Sequence, residues 1–231
     1  MLERMVLRAE LVHDGRCIVG HTTEIGASSV FVRTDEPVAV GSEVQLRLSF
    51  PRLFAPLELA ATVRAHDAGS GHGYFAGVML DFPAEDRLAE LQRRPGDAPA
   101  TGSCRILLVE DSAVMRDVVA QSASSFSRTF RIETATAESA EAALELVQRT
   151  TFDLAILDLY LAGPLTGADL VRDLRARQLD VPVIGFSVGG SKARLAFLEA
   201  GADMFLDKPI MLRDVFTTLE RLLATTRRPP T

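Results

Sequence analysis

The chain has 231 residues, 47% of them hydrophobic and 24% charged, a composition inside the globular range that excludes wholesale disorder and fibrous repeats. Its formal charge is -6 and its basic residues form no long cluster, so a phosphate grip on nucleic acid is not expected. No apolar run approaches the ~18 residues of a spanning helix, and Glu3, Arg4, Arg8 and Glu10 interrupt any apolar leader; a cytoplasmic protein with no membrane partner is expected.

In chain order, short β-rich runs come first: Ser29–Arg33, Glu43–Phe50, Leu57–Val63 and Tyr74–Leu80. Several alternate apolar and polar residues with period two, as half-buried antiparallel strands do, so residues 1–92 are expected to form an all-β barrel or sandwich. Residues 93–103 hold two Pro and two Gly with no large apolar side chain and read as a linker. From residue 104 the apolar runs Arg105–Val109, Asp153–Leu157, Val181–Phe186 and Asp203–Leu206 alternate with helical stretches. That pattern implies a doubly wound, flavodoxin-like α/β domain over 104–226, with a five-stranded parallel sheet. Its final helix should carry Leu212, Val215, Phe216, Leu219 and Leu222 on one face, and 227–231 read as a disordered tail. Cys17 and Cys104 show neither zinc nor disulfide spacing, and His13, His21, His66 and His72 read as surface residues.

In open parallel sheets, functional groups collect beyond the carboxyl ends of the strands. Here those positions are Glu110 and Asp111 after the first strand, Asp158 after the third, Ser187 after the fourth and Asp207-Lys208 after the fifth. Taken singly, Ser187 reads as a helix cap, Phe205 as a core aromatic and Lys208 as a solvent lysine; their coincidence at one edge changes the reading. Carboxylates gathered there would repel one another without a cation, and oxygen donors with room for water suit Mg²⁺. An Asp beside such a cation, with a lysine and a hydroxyl ready for phosphoryl oxygens, is a suitable nucleophile for an acyl phosphate. Lys192 and Lys208 are the only lysines among 25 basic residues, so a compact point charge stands at 208 in a chain that otherwise uses Arg.

Residues 104–225 resemble the receiver domain of two-component response regulators. The resemblance rests on Ile106–Asp111, Phe152–Asp158, Pro182–Ser187, Gly201–Phe205 and Asp207-Lys208-Pro209, in family order and near-family spacing. It implies Mg²⁺ held by Glu110, Asp111, Asp158 and the Tyr160 backbone carbonyl, with Asp158 as phosphoacceptor. Ser187 and Lys208 would bind phosphoryl oxygens, and Phe205 would be the aromatic that couples the site to the surface. The implied partners are a histidine kinase or phosphotransfer protein and a downstream protein, with a homodimer left open; the chain is a signalling protein, not an enzyme. Two departures, Val188 and a loop over 162–167 one residue longer than usual, would slow access to the acyl phosphate. A haloacid-dehalogenase-like phosphatase would need an acid at 160, where Tyr160 stands.

Residues 1–92 resemble a PilZ domain, a six-stranded barrel that binds cyclic di-GMP through an RxxxR motif and a second acid-Ser-Gly motif. Arg4 and Arg8 match the first; Glu24, Gly26 and Ser29 stand in the register of the second and depart from it. Paired arginines clamp phosphates and stack on guanine faces, whereas the altered second motif lacks a hydroxyl and places a Cβ where glycine belongs. The expectation is a degenerate barrel serving protein interaction. The rival to a phosphorylated regulator is a constitutive adaptor without cyclic di-GMP binding.

Overall fold

The computed structural model describes residues 2–50, 56–67, 77–83, 103–126, 131–208 and 212–226. Apart from Ser103, the expected linker at 93–103 lies outside these residues, as does the tail at 227–231. The chain divides into two compact units, residues 1–95 with 217–231, and residues 96–216. Among the described residues no helix is long and apolar enough to cross a membrane.

The first unit contains β1 (Glu3–Arg4), β2 (Arg8–His13), β3 (Arg16–Ile25), β4 (Ser29–Arg33), β5 (Glu43–Ser49), β6 (Leu57–Asp67) and β7 (Gly77–Asp81). Their order is β1-β3-β2-β5-β6-β7-β4, and a further β3–β4 pairing closes six of them into an antiparallel barrel with β1 added beside β3. Closure satisfies edges that an open sheet would leave unpaired. Alternation does the rest: Val44, Leu46 and Leu48 of β5 and Leu57, Leu59, Ala61 and Val63 of β6 are buried, while the residues between them face out.

β4 has the expected bounds, β6 runs four residues further, and β7 begins at Gly77, residues 74–76 lying outside the described set. The β2–β3 hairpin is an addition to the expected strands. Its signal is Asp14-Gly15, both at positive φ (49° and 73°), the combination a two-residue type I′ turn requires. Register shifts between Thr22 and Glu24 and between Val63 and Ala65 mark bulges of the kind that bend barrel strands. His21 is buried at 3% exposure, contrary to the surface reading, although its register opposite Arg8 and Arg33 sets it on the face of β3 away from Ile18 and Gly20.

The second unit contains β8 (Ser103–Val109), α1 (Ala113–Phe126), β9 (Arg131–Ala137), α2 (Ala140–Arg149), β10 (Leu154–Leu157), α3 (Gly167–Ala176), β11 (Val183–Ser187), α4 (Gly190–Glu199) and β12 (Met204–Asp207). The sheet order β12-β11-β10-β8-β9 is parallel throughout, the doubly wound arrangement expected. β10 and β11 are buried at every position, hence their unbroken apolar runs; the edge strand β9 is mostly polar. Because the order reverses between β8 and β10, the chain leaves these two strands toward opposite faces and opens a crevice at their carboxyl ends.

The last helix, α5, spans Leu212–Thr226. Val215, Phe216, Leu219 and Leu222 are buried as expected, together with Thr218; the Leu212 side chain is not among those described. Within the first unit, the Thr218 hydroxyl accepts the Val6 N–H at 2.9 Å and Arg221 pairs with Glu3 at 2.7 Å. Val6 lies between β1 and β2 and has no ladder partner there, so a side-chain oxygen meets its amide.

α3 opens with a capping box: the Thr166 hydroxyl accepts the Asp169 amide at 3.2 Å, and the Asp169 carboxylate takes the Thr166 N–H at 3.0 Å and hydroxyl at 2.7 Å. These bonds, with Arg172 adding a smaller contribution, hold the Asp169 carboxyl below its ordinary range. A depressed carboxyl stabilises the fold above its unfolded pKa, and the gain is lost as pH falls through the folded value. Asp169→Asn is therefore expected to lower the melting temperature at pH 7, with the gap to wild type closing below about pH 4. A gap of constant size down to pH 2.5 in thermal melts would contradict this.

Candidate functional site

Parallel register sets the strand ends side by side: Leu157 lies opposite Val109, and Ser187 opposite Asp207. Backbone bonds carry the alignment past the strands, from Glu110 N–H to the Ala137 carbonyl, Asp158 N–H to Val109, and Lys208 N–H to Ser187. The Lys208 ammonium consequently sits 2.6 Å from Glu110 Oε2 and 2.6 Å from Asp158 Oδ2. Both carboxylates are buried, at 5% and 7% exposure. Their remaining oxygens accept backbone amides, Ser112 N–H on Glu110 Oε1 and Tyr160 N–H on Asp158 Oδ1, each at 3.3 Å.

Burial pushes the Glu110 carboxyl up, against the bond and charge of Lys208, and the charge of Asp158 adds to the rise. For Lys208, burial favours the neutral amine, but the bonds and charges of Asp158 and Glu110 outweigh it and raise the pKa. The same ammonium lies 5.0 Å from the Phe186 ring centroid, within cation–π range. Ser187 is fully buried and its hydroxyl donates to the Val188 carbonyl at 3.3 Å. Tyr160 and Val188 stand exposed, and a Cβ placed on Gly189 would be 3.7 Å from the Tyr160 hydroxyl, so the tyrosine leans over the loop that follows Ser187. Phe205 is buried on β12.

Asp111 is exposed, so Glu110 and Asp158 meet at Lys208 while the third acid faces solvent. Among the described residues, no three His, Cys, Asp or Glu side chains converge closely enough to cage a cation by themselves. The donors are nonetheless hard oxygens, two of them buried on one cation, and Mg²⁺ characteristically takes one or two carboxylates and keeps several waters. The chemistry of the set fits that ion.

Arg116 escaped the sequence reading. Its Nη1 donates to the carbonyls of Glu110 at 2.6 Å and Asp111 at 2.9 Å, fixing the backbone that carries both acids. The available signal was position: a long basic side chain one turn into a helix that starts at Ala113 reaches back over the preceding loop.

In the barrel, the register sets Arg4 opposite Glu24, so the first motif and the start of the second do lie on neighbouring strands. Gly26 and Ser29 close the β3–β4 turn through a 2.7 Å backbone bond. Arg8 donates to Glu10 Oε1 at 2.9 Å, and Arg47 approaches the other Glu10 oxygen at 3.4 Å.

Residues 106–220 match the family model described as the response regulator receiver domain. A probable transcriptional regulatory protein of Picosynechococcus is 33% identical over 135 residues, 55% of this chain and 52% of that protein. Response regulator MprA of Mycobacterium leprae is 32% identical over 124 residues, 53% of this chain and 52% of that one. Among solved structures, the receiver domain of NtrX from Brucella abortus is 30% identical with a TM-score of 0.45, covering 52% of this chain and 98% of that domain. The chain spans about half the length of the curated relatives it matches. With its strand order, its acids and its lysine at the carboxyl edge, the segment 106–220 belongs to the response regulator receiver family.

Proposed function

We propose that the chain is a two-component response regulator whose receiver is phosphorylated on Asp158. The observation that carries this reading is the Lys208 ammonium, shared between the buried carboxylates of Asp158 and Glu110 at the edge where Ser187 also ends its strand. A cation already bonded to the acceptor carboxylate is placed to take a phosphoryl oxygen as negative charge spreads over it. Asp158 supplies the attacking oxygen: a P–O bond forms as the P–N bond of a donor phosphohistidine breaks, and the imidazole leaves with that electron pair and takes up a proton. Lys208 and the Ser187 hydroxyl receive phosphoryl oxygens, the latter by giving up its bond to Val188. Mg²⁺ held by Glu110, Asp111, Asp158 and the Tyr160 carbonyl would neutralise charge on the transferring group. The donor is a histidine kinase or phosphotransfer protein, and the setting is cytoplasmic. The product is a shifted conformational population, read by the barrel or a protein partner, and not a released metabolite.

The closed six-stranded barrel supports the PilZ-like reading of the first unit. Cyclic di-GMP is the less favoured ligand there, since Glu10 engages Arg8 and the second motif is altered; a protein-interaction role is favoured. Tyr160 offers a direct test, because the chain has no Trp and two Tyr. In a Tyr74→Phe background, beryllofluoride with Mg²⁺ is expected to change Tyr160 emission saturably, and neither additive alone should do so to the same extent. Absence of any response to the pair would leave the constitutive adaptor as the better reading.

A further inference from the structure

Phe197 of α4 fills space that exists because two residues have no side chain. Its ring is fully buried; a Cβ on Gly185 of β11 would lie 2.5 Å from its Cγ, and one on Gly167 of α3 would lie 3.1 Å from its Cζ. The same Cβ on Gly167 would fall 1.9 Å from the backbone carbonyl oxygen of Asp158. An aromatic wedge from α4 therefore reaches the layer of the core against which the carboxylate site is built. The wedge also meets Phe205: the ring centroids are 5.9 Å apart and the planes inclined by 35°, inside the range of favourable aromatic pairs. Phe205 itself is 5% exposed.

Protein cores are close-packed, and a side chain that leaves one abandons its contacts and opens a void. Were Phe205 to swing outward, one side of the Phe197 ring would lose its neighbour, and Gly185 and Gly167 have no side chain with which to fill the gap. We propose that Phe197 is a positioning residue: it holds the Phe205 ring in its buried orientation whether or not Asp158 carries a phosphoryl group. The position of Phe205, the aromatic that the family resemblance casts as the coupling residue, is then set by α4 in both states. The part of this inference that concerns coupling rests on the phosphoacceptor reading, whereas the packing claim can be decided in the free protein.

The test places 4-fluorophenylalanine at position 205 of the full chain and records its ¹⁹F resonance with and without Mg²⁺ and beryllofluoride, alongside Tyr160 emission. Phe197→Ala alone opens a cavity large enough to threaten folding, so the variants are Phe197→Leu and the compensated pair Gly185→Ala with Phe197→Ala, in which the added methyl occupies space vacated by the Phe197 Cγ that it would otherwise meet at 2.5 Å. Wild type is expected to give one resonance that stays in place when the additives change Tyr160 emission. Both variants are expected to give a displaced or second resonance in the free protein, and one that moves when the additives bind. The compensated pair should keep that behaviour while recovering melting temperature, which a purely space-filling role would not produce. A free-protein resonance in Phe197→Leu identical to wild type would overturn the proposal. So would a wild-type resonance that moves on adding beryllofluoride as far as the variants' does. If Tyr160 emission never responds, the phosphoacceptor reading fails, and the free-protein spectra still decide whether Phe197 holds Phe205.

Discussion

Asp158→Asn is expected to reduce uptake of phosphoryl label to background while leaving the fold intact. Asparagine is isosteric, and its carbonyl oxygen remains able to accept the Tyr160 amide that Asp158 now takes at 3.3 Å. What disappears is the anionic oxygen that must bond to phosphorus, since a neutral amide is a poor nucleophile and its adduct is no acyl phosphate. Lys208 keeps its second partner, Glu110, at 2.6 Å, so the buried cation is not stranded and the melting temperature should move little. The measurement is transfer of radiolabel from acetyl phosphate, with Mg²⁺ present, to wild type and variant, each checked by far-UV circular dichroism. Label on the folded variant equal to that on wild type would place the acceptor elsewhere.

Lys208→Ala should act in the opposite way, on stability as well as on chemistry. Removing the ammonium leaves Glu110 and Asp158, with 6% and 8% of their side chains exposed, facing one another without a cation. Stranding buried charge in this way costs on the order of 3 kcal/mol, several degrees in melting temperature for a domain of this size. The pH dependence follows from Glu110, whose carboxyl burial already pushes up. A group with a raised folded pKa contributes its stability below the unfolded value and loses it as pH rises through the folded one. Without Lys208 that rise is larger, so the gap between variant and wild type should be narrow at pH 5 and wide at pH 7.5, both in chelator. Mg²⁺ should narrow the gap at pH 7.5, because binding to the native state stabilises it and the variant's pocket carries one positive charge fewer. Melts at the two pH values, with chelator and with Mg²⁺, check each part; a variant as stable as wild type at pH 7.5 in chelator would show that the carboxylates do not depend on Lys208.

The site was legible because parallel sheets translate sequence into position: whatever follows an apolar run lies at the carboxyl edge. Glu110, Asp158, Ser187 and Lys208 could be gathered from four separate segments on that rule alone, and the structure sets them on adjoining strand ends. The β2–β3 hairpin carried an equally local signal in Asp14-Gly15, but its strands mix apolar and polar residues without clean alternation. Arg116 was harder, since an arginine on a surface helix is ordinary until its guanidinium is seen on two carbonyls of the acid loop.

Residue order by itself determined the two architectures, the strand-end chemistry and the apolar face of the last helix, because periodicity and turn residues act over a few positions along the chain. Only the tertiary structure decided which carboxylates share Lys208, that Asp111 faces solvent, that His21 is buried, and that Gly185 and Gly167 make room for Phe197. Those outcomes depend on distances between segments remote in sequence, and close packing fixes such distances only when all the segments are in place.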